Sequence, residues 1–111
     1  MAYDKSLVDR VRRLLTDLPD VQEKKMFGSI GFMVNGKLCI GVGDYRGSAM
    51  MVRVGPEKYE EALQKDGAMP TIMRDRVMKG YISLKSESVK DNLALGDWVA
   101  MALDYNRSLS A

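Results

Sequence analysis

Asn35-Gly36 is the residue pair that most limits how this chain folds. A two-residue hairpin of type I′ needs positive φ at both central positions, and Asn-Gly meets that need at low steric cost. Ile30–Val34 and Lys37–Val42, rich in apolar and β-branched residues, are its two arms. A turn of this length fixes the register, so cross-strand partners have numbers that sum to 71. Val34 then faces Lys37, Phe32 faces Cys39 and Ile30 faces Gly41 on one side of the sheet. Met33 faces Leu38, Gly31 faces Ile40 and Ser29 faces Val42 on the other. Both sides are apolar, whereas a half-exposed antiparallel sheet alternates apolar and polar residues. The second face needs a cover: helices on both sides, a second copy of the chain, or another protein. Ile30, Phe32, Met33, Val34, Leu38 and Ile40 form this candidate partner or dimer face.

Helical periodicity brackets the hairpin. Leu7, Val11, Leu14, Leu15 and Leu18 share one helical face, opened by Asp4 or Ser6 and closed at Pro19-Asp20. Asp44-Tyr45-Arg46-Gly47-Ser48 reads as a polar turn and Ala49–Val54 as a third strand. Gly55-Pro56-Glu57 leads into a short helix buried through Tyr59, Ala62 and Leu63, which Asp66-Gly67 stops. Met69-Pro70 reads as loop, and Ile72–Arg74 and Gly80–Leu84 as strands. A last helix runs from Ser86 or Ser88 to about Arg107, facing inward through Val89, Leu93, Gly96, Ala100 and Leu103, with Trp98 and Val99 alongside. The order α-β(3)-α-β(2)-α predicts one α+β domain over residues 1–111, an antiparallel sheet with flanking helices.

Composition narrows the function. An apolar fraction of 46% excludes a disordered chain, and 17 basic against 15 acidic residues give no bulk signal for a polyanion. No apolar run reaches the roughly 18–20 residues of a membrane span, and the N-terminus lacks a signal-peptide layout. The single Cys39 cannot form an internal disulfide, so a cytoplasmic location is expected. The chain has no histidine, which removes Ser-His and Cys-His catalysis and histidine-ligated metals. No catalytic, cofactor-binding or metal-binding residue is expected.

Lys25-Met26-Phe27-Gly28-Ser29-Ile30-Gly31-Phe32-Met33-Val34-Asn35-Gly36-Lys37 resembles the signature of the TfoX N-terminal domain family. Arg53-Val54-Gly55-Pro56-Glu57 with Tyr59, Met78-Lys79-Gly80-Tyr81, and Trp98-Val99 before Ala102-Leu103 resemble later family segments, in the same order. The resemblance implies an α-β(3)-α-β(2)-α fold similar to that of type III secretion chaperones. It assigns structural roles to Met26, Phe27, Gly28, Gly31, Gly36, Gly80 and Trp98. The founding members, the competence regulators Sxy or TfoX, carry a second, C-terminal domain. This chain ends where that domain would begin, so a stand-alone member is expected.

Each candidate site has a functional and a structural reading. Gly41-Val42-Gly43 lies in a hairpin strand and not at a strand-to-helix turn, so it reads as a packing feature more than a nucleotide loop. Cys39 is a reactive thiol or a small buried side chain. Arg10, Arg13, Arg74, Arg76 and Lys79 form a phosphate-binding face or a solvated surface, since acids interrupt each cluster. The leading expectation is a non-catalytic interaction or regulatory module that self-associates or binds a protein. A nucleic-acid-associated regulator is the alternative, and a small-ligand binder or undetected enzyme the third.

Overall fold

Asn35 (φ +53°) and Gly36 (φ +78°) form the expected turn in a computed structural model, which describes residues 3–26, 28–43 and 47–109, the side chain of Met26 excepted. The elements are α1 (Lys5–Leu14), β1 (Val21–Met26), β2 (Ser29–Val34), β3 (Lys37–Val42), β4 (Met50–Arg53), α2 (Tyr59–Leu63), β5 (Ala68–Met73), β6 (Arg76–Leu84), a 3-10 turn Ser86–Val89, and α3 (Asn92–Ser108). The strands make one antiparallel sheet in the order β1-β2-β3-β4-β6-β5. The α+β architecture is as expected, with one strand, β1, ahead of the hairpin. Of the expected turn at Asp44–Ser48, Asp44, Tyr45 and Arg46 lie outside the described residues, as does Phe27.

The register near the turn is as expected for Val34↔Lys37 and Met33↔Leu38, and then it shifts. Phe32 pairs with Ile40, Gly31 with Gly41 and Ile30 with Val42, leaving Cys39 as the extra residue of a β-bulge. The bulge carries Ile40 and Val42 to the core side of the sheet. Burying an Ile and a Val gains about 1.5–3 kcal/mol each, against about 1 kcal/mol for one ladder hydrogen bond, so burial decides. Phe32, Ile40, Val52 and Ile82 pair in turn across β2, β3, β4 and β6, and each is fully buried. Ile30, Val42, Met50 and Leu84 form the next such row.

These rows join one core with Leu7, Val8, Val11 and Leu15, with Tyr59 and Ala62 of α2, and with Leu95, Trp98, Val99 and Ala102 of α3. Two helical faces differ from expectation. Leu14 points outward, and Asp4 alone caps α1, its Oδ1 accepting from the Ser6 and Leu7 amides. The last helix is broken: after the 3-10 turn, Asp91 caps α3 by accepting from the Ala94 amide, which resets the helical phase. Leu93 is consequently 79% exposed, and Leu95, Trp98, Val99, Ala102 and Asn106 face inward. Met69-Pro70 lies in β5, not a loop. Proline has no N–H, and β5 is an edge strand, where that loss is tolerated.

Candidate interaction site

The β5–β6 hairpin leaves the sheet through an irregular step. Pro70 pairs with Ile82 and the next pair is Ile72 with Val77, so Met78, Lys79, Gly80 and Tyr81 stand opposite Thr71 alone. Gly80 makes the step possible. Its φ is +95°, its carbonyl accepts from the Val54 and Gly55 amides at 2.8 and 3.0 Å, and an added Cβ would lie 3.3 Å from the Gly55 carbonyl carbon. Arg53 braces the root: its guanidinium lies 5.4 Å from the ring centres of both Tyr81 and Tyr105, joining β4, β6 and α3.

Past this root the two strands pair only with each other, because β4 meets β6 no further out than Arg53↔Tyr81. The result is a projecting two-stranded arm closed by Arg74 (φ +52°) and Asp75 (φ +62°). Ile72, Met73 and Val77 on it are 36%, 42% and 59% exposed. Of the five large apolar side chains exposed among the described residues, these three are on the arm; Leu14 and Leu93 lie elsewhere. Arg74, Arg76 and Lys79 are exposed on the same arm.

The Asn-Gly hairpin is the reverse case. Four of its six candidate partner residues, Ile30, Phe32, Val34 and Ile40, are buried in the core and cannot form a docking face. Met33 and Leu38, on the other side, are half-buried. That side is closed within the chain as well: the row Gly31, Gly41, Met51, Ser83 is buried, and Ser83 shares a 2.8 Å hydroxyl hydrogen bond with buried Thr71.

The basic residues do not form one patch. Arg10 donates to the Val89 and Lys90 carbonyls at 2.8 and 3.1 Å and to Asn92 Oδ1 at 2.9 Å, fastening α1 to the start of α3. That contact lies past the Leu84 end of β6, whereas Arg74 and Arg76 stand at its other end. β6 is nine residues long, a separation of about 27 Å. Arg13 is exposed on α1. Its neighbour Arg12 pairs with Glu23 of β1 at 2.6 Å, and that hydrogen bond holds the Glu23 carboxyl below its usual range.

Cys39 is buried, and burial pushes its thiol up to about 12 despite the opposing charge of Arg53. Two shallow clefts open on the surface. One, about 240 Å³, lies between Pro56, Glu57, Lys58, Asp104 and Tyr105; the other, about 290 Å³, is lined by Asp4, Leu7, Arg10 and Lys90. Each mixes both charge signs, and in the first Lys58 reaches Asp104 at 3.9 Å. No cluster of three metal-ligating side chains occurs among the described residues. Among those residues no helix is long and apolar enough to cross a membrane.

The family-signature residues take turn and packing positions. Gly28 (φ +78°) lies between β1 and β2, Gly31 pairs with Gly41, Gly36 closes the Asn-Gly turn, and Trp98 is buried in α3. Met26 ends β1. No curated protein and no solved structure shows significant similarity to the chain. Residues 13–105 match the family model described as TfoX N-terminal domain.

Proposed function

Because the chain belongs to the TfoX N-terminal domain family, whose model spans residues 13–105, we propose that it is a regulatory module that works by contact and carries no chemistry of its own. The observation behind this reading is the projecting arm. Ile72, Met73 and Val77 stay exposed there while the other large apolar residues described on the sheet are buried or half-buried, and clustered exposed apolar groups mark interaction sites. The state of Cys39 supports the non-catalytic part: a buried thiol whose pKa is pushed up to about 12 holds almost no thiolate near neutrality. A reducing, cytoplasmic setting goes with this free thiol.

Both sheet edges argue against strand-to-strand pairing as the mode of contact. β1 carries Gln22, Glu23, Lys24 and Lys25, and β5 carries Pro70 and meets an irregular step in its pairing with β6 at Thr71, all features that blunt an edge. A photoreactive benzophenone side chain placed at position 77 of the full chain tests the arm. It should give one discrete macromolecular adduct, identified by mass, whereas the same probe at position 93 should give none, although Leu93 is the more exposed residue. Equal labelling from both positions, or none from position 77, would sink the reading.

A further inference from the structure

The charge and shape of the arm specify its partner more closely, on the premise that the arm is a contact surface. From Ile72 to Lys79 it holds Arg74, Arg76 and Lys79 against Asp75 alone, a net charge of +2. The whole chain also has a net charge of +2, from 17 bases and 15 acids, so the remaining residues balance at 14 against 14. The body is neutral, and the excess charge is all on its one projection. Five of the body's cations are engaged: Arg12 with Glu23 and Asp9, Arg10 with carbonyls, Lys58 and Arg107 with Asp104, and Lys37 with the Leu109 carbonyl at 3.0 Å. Arg74, Arg76 and Lys79 have no side-chain hydrogen bond or ion pair among the described residues. Three unpaired cations on one projection that carries the whole net charge of the chain point to a polyanionic surface.

The order of residues along the arm separates the polyanions. Insertion into an anionic bilayer puts apolar side chains foremost and cations behind them at the headgroups. Here the charged pair Arg74-Asp75 is foremost and Ile72 and Val77 lie behind, which is the wrong order for lipid. It is the right order for a groove with a floor of hydrogen-bonding base edges and walls of charged phosphates. The major groove of B-DNA is about 12 Å wide and 8.5 Å deep and admits a two-stranded ribbon. The arm from Ile72 to Arg74 reaches about 7 Å, within that depth. We propose that the β5–β6 arm enters the major groove of duplex DNA, with Arg74 at the turn reaching base edges, Arg76 and Lys79 on phosphates, and Ile72 and Val77 against sugars and thymine methyl groups.

Fluorescence anisotropy of a labelled random-sequence duplex of about 20 base pairs with the full chain tests this. The plot of log K against log salt should slope at about −2 to −3, since each phosphate contact contributes about −0.9. The triple variant Arg74→Gln, Arg76→Gln, Lys79→Gln should bind at least tenfold more weakly at about 50 mM salt. Its circular dichroism should be unchanged, because all three side chains are exposed. Arg76→Gln alone should lower the slope by about one, which keeps a result in hand if the triple variant does not fold. No binding at low salt, or equal binding by the variants, overturns the proposal. Phosphatidylserine vesicles and polyglutamate run in parallel separate this from the contact reading. Arm-dependent binding to either of them, without binding to DNA, overturns the DNA assignment and leaves contact standing. No arm-dependent binding to any of the three, with no crosslink at position 77, overturns both.

Discussion

The two hairpins of this sheet turn in the same way and end in opposite environments. Asn35-Gly36 and Arg74-Asp75 both close two-residue loops, and all four residues have positive φ. The first hairpin is held on every side. β1 and β4 flank it, the Asn35 amide donates to the Asp20 carbonyl at 3.0 Å, and Asn106 of α3 donates from Nδ2 to the Val34 carbonyl at 2.9 Å. The second leaves the sheet at Gly80, and beyond that step its two strands pair only with each other among the described residues. A turn therefore fixes where a chain reverses, and what packs on the arms fixes whether the hairpin becomes core or projection. The regular hairpin builds the domain, and the irregular one is left to meet other molecules.

The contrast is broken most directly by truncating one side chain in each hairpin. Phe32→Ala removes a fully buried ring from the central cross-sheet row and should cost about 3–5 kcal/mol in urea unfolding. Val77→Ala on the arm should fall within about 0.5 kcal/mol of the unaltered chain. A cost above about 2 kcal/mol at Val77 would mean that the arm is packed and not projecting.

A second test loosens the first turn without touching the core. Asn106 is 3% exposed, donates to the Val34 carbonyl, and receives a hydrogen bond from Asn35 Nδ2 at 3.3 Å. Asn106→Ala should cost about 1–3 kcal/mol, and amide exchange should accelerate around Asn35 and Gly36 but not around Arg74. Uniform acceleration at both turns would show that Asn106 does not act specifically on the first hairpin.

What could be read from the sequence, and what could not, follows the same division. Asn-Gly announces its turn because both residues accept positive φ cheaply, whereas Arg-Asp carries no such signal, so the sequence pattern predicts a strand end at the arm's turn and a loop at its Met69-Pro70 stem. β1 gives no strand signal in the sequence because Gln22, Glu23, Lys24 and Lys25 are all exposed, and an edge strand of this kind shows no alternation. The candidate face at Ile30, Phe32, Val34 and Ile40 rested on an unbroken register, and one bulged residue, Cys39, moves Ile40 and Val42 to the core side. The phase of α3 depended on where it began, and Asp91 begins it afresh. The arm's cations were legible as residues, but their projection beyond β4 depends on the step at Gly80.

The bulge at Cys39 gives a pH test of the buried hairpin. An unfolded cysteine loses its proton near pH 9, and in the native chain burial raises the thiol to about 12. Above pH 9 the unfolded chain therefore binds fewer protons than the native one, so stability should fall as pH rises from about 9 and level off past about 12. One such group limits the slope to about 1.4 kcal/mol per pH unit. Urea unfolding between pH 8 and 10.5 should show a steeper loss for the unaltered chain than for Cys39→Ala. Parallel curves would mean that the thiol is not buried as described.

The smallest expected change asks why the exposed turn keeps an arginine at positive φ. A side chain larger than glycine in the left-handed region costs roughly 1–2 kcal/mol, and asparagine is the residue that best tolerates it. Arg74→Asn should therefore stabilise the chain by about 0.5–1 kcal/mol, seen as a rise of a few degrees in melting temperature. The same substitution removes one of the three cations proposed to contact DNA, so affinity for the duplex should fall while stability rises. Opposite signs in the two measurements are what a turn kept strained for contact requires. A gain in stability with unchanged DNA affinity would leave Arg74 outside the interface, and a loss of stability would show that the turn is not strained at this residue. The first turn, with Asn35 at nearly the same φ, has no such conflict to relieve.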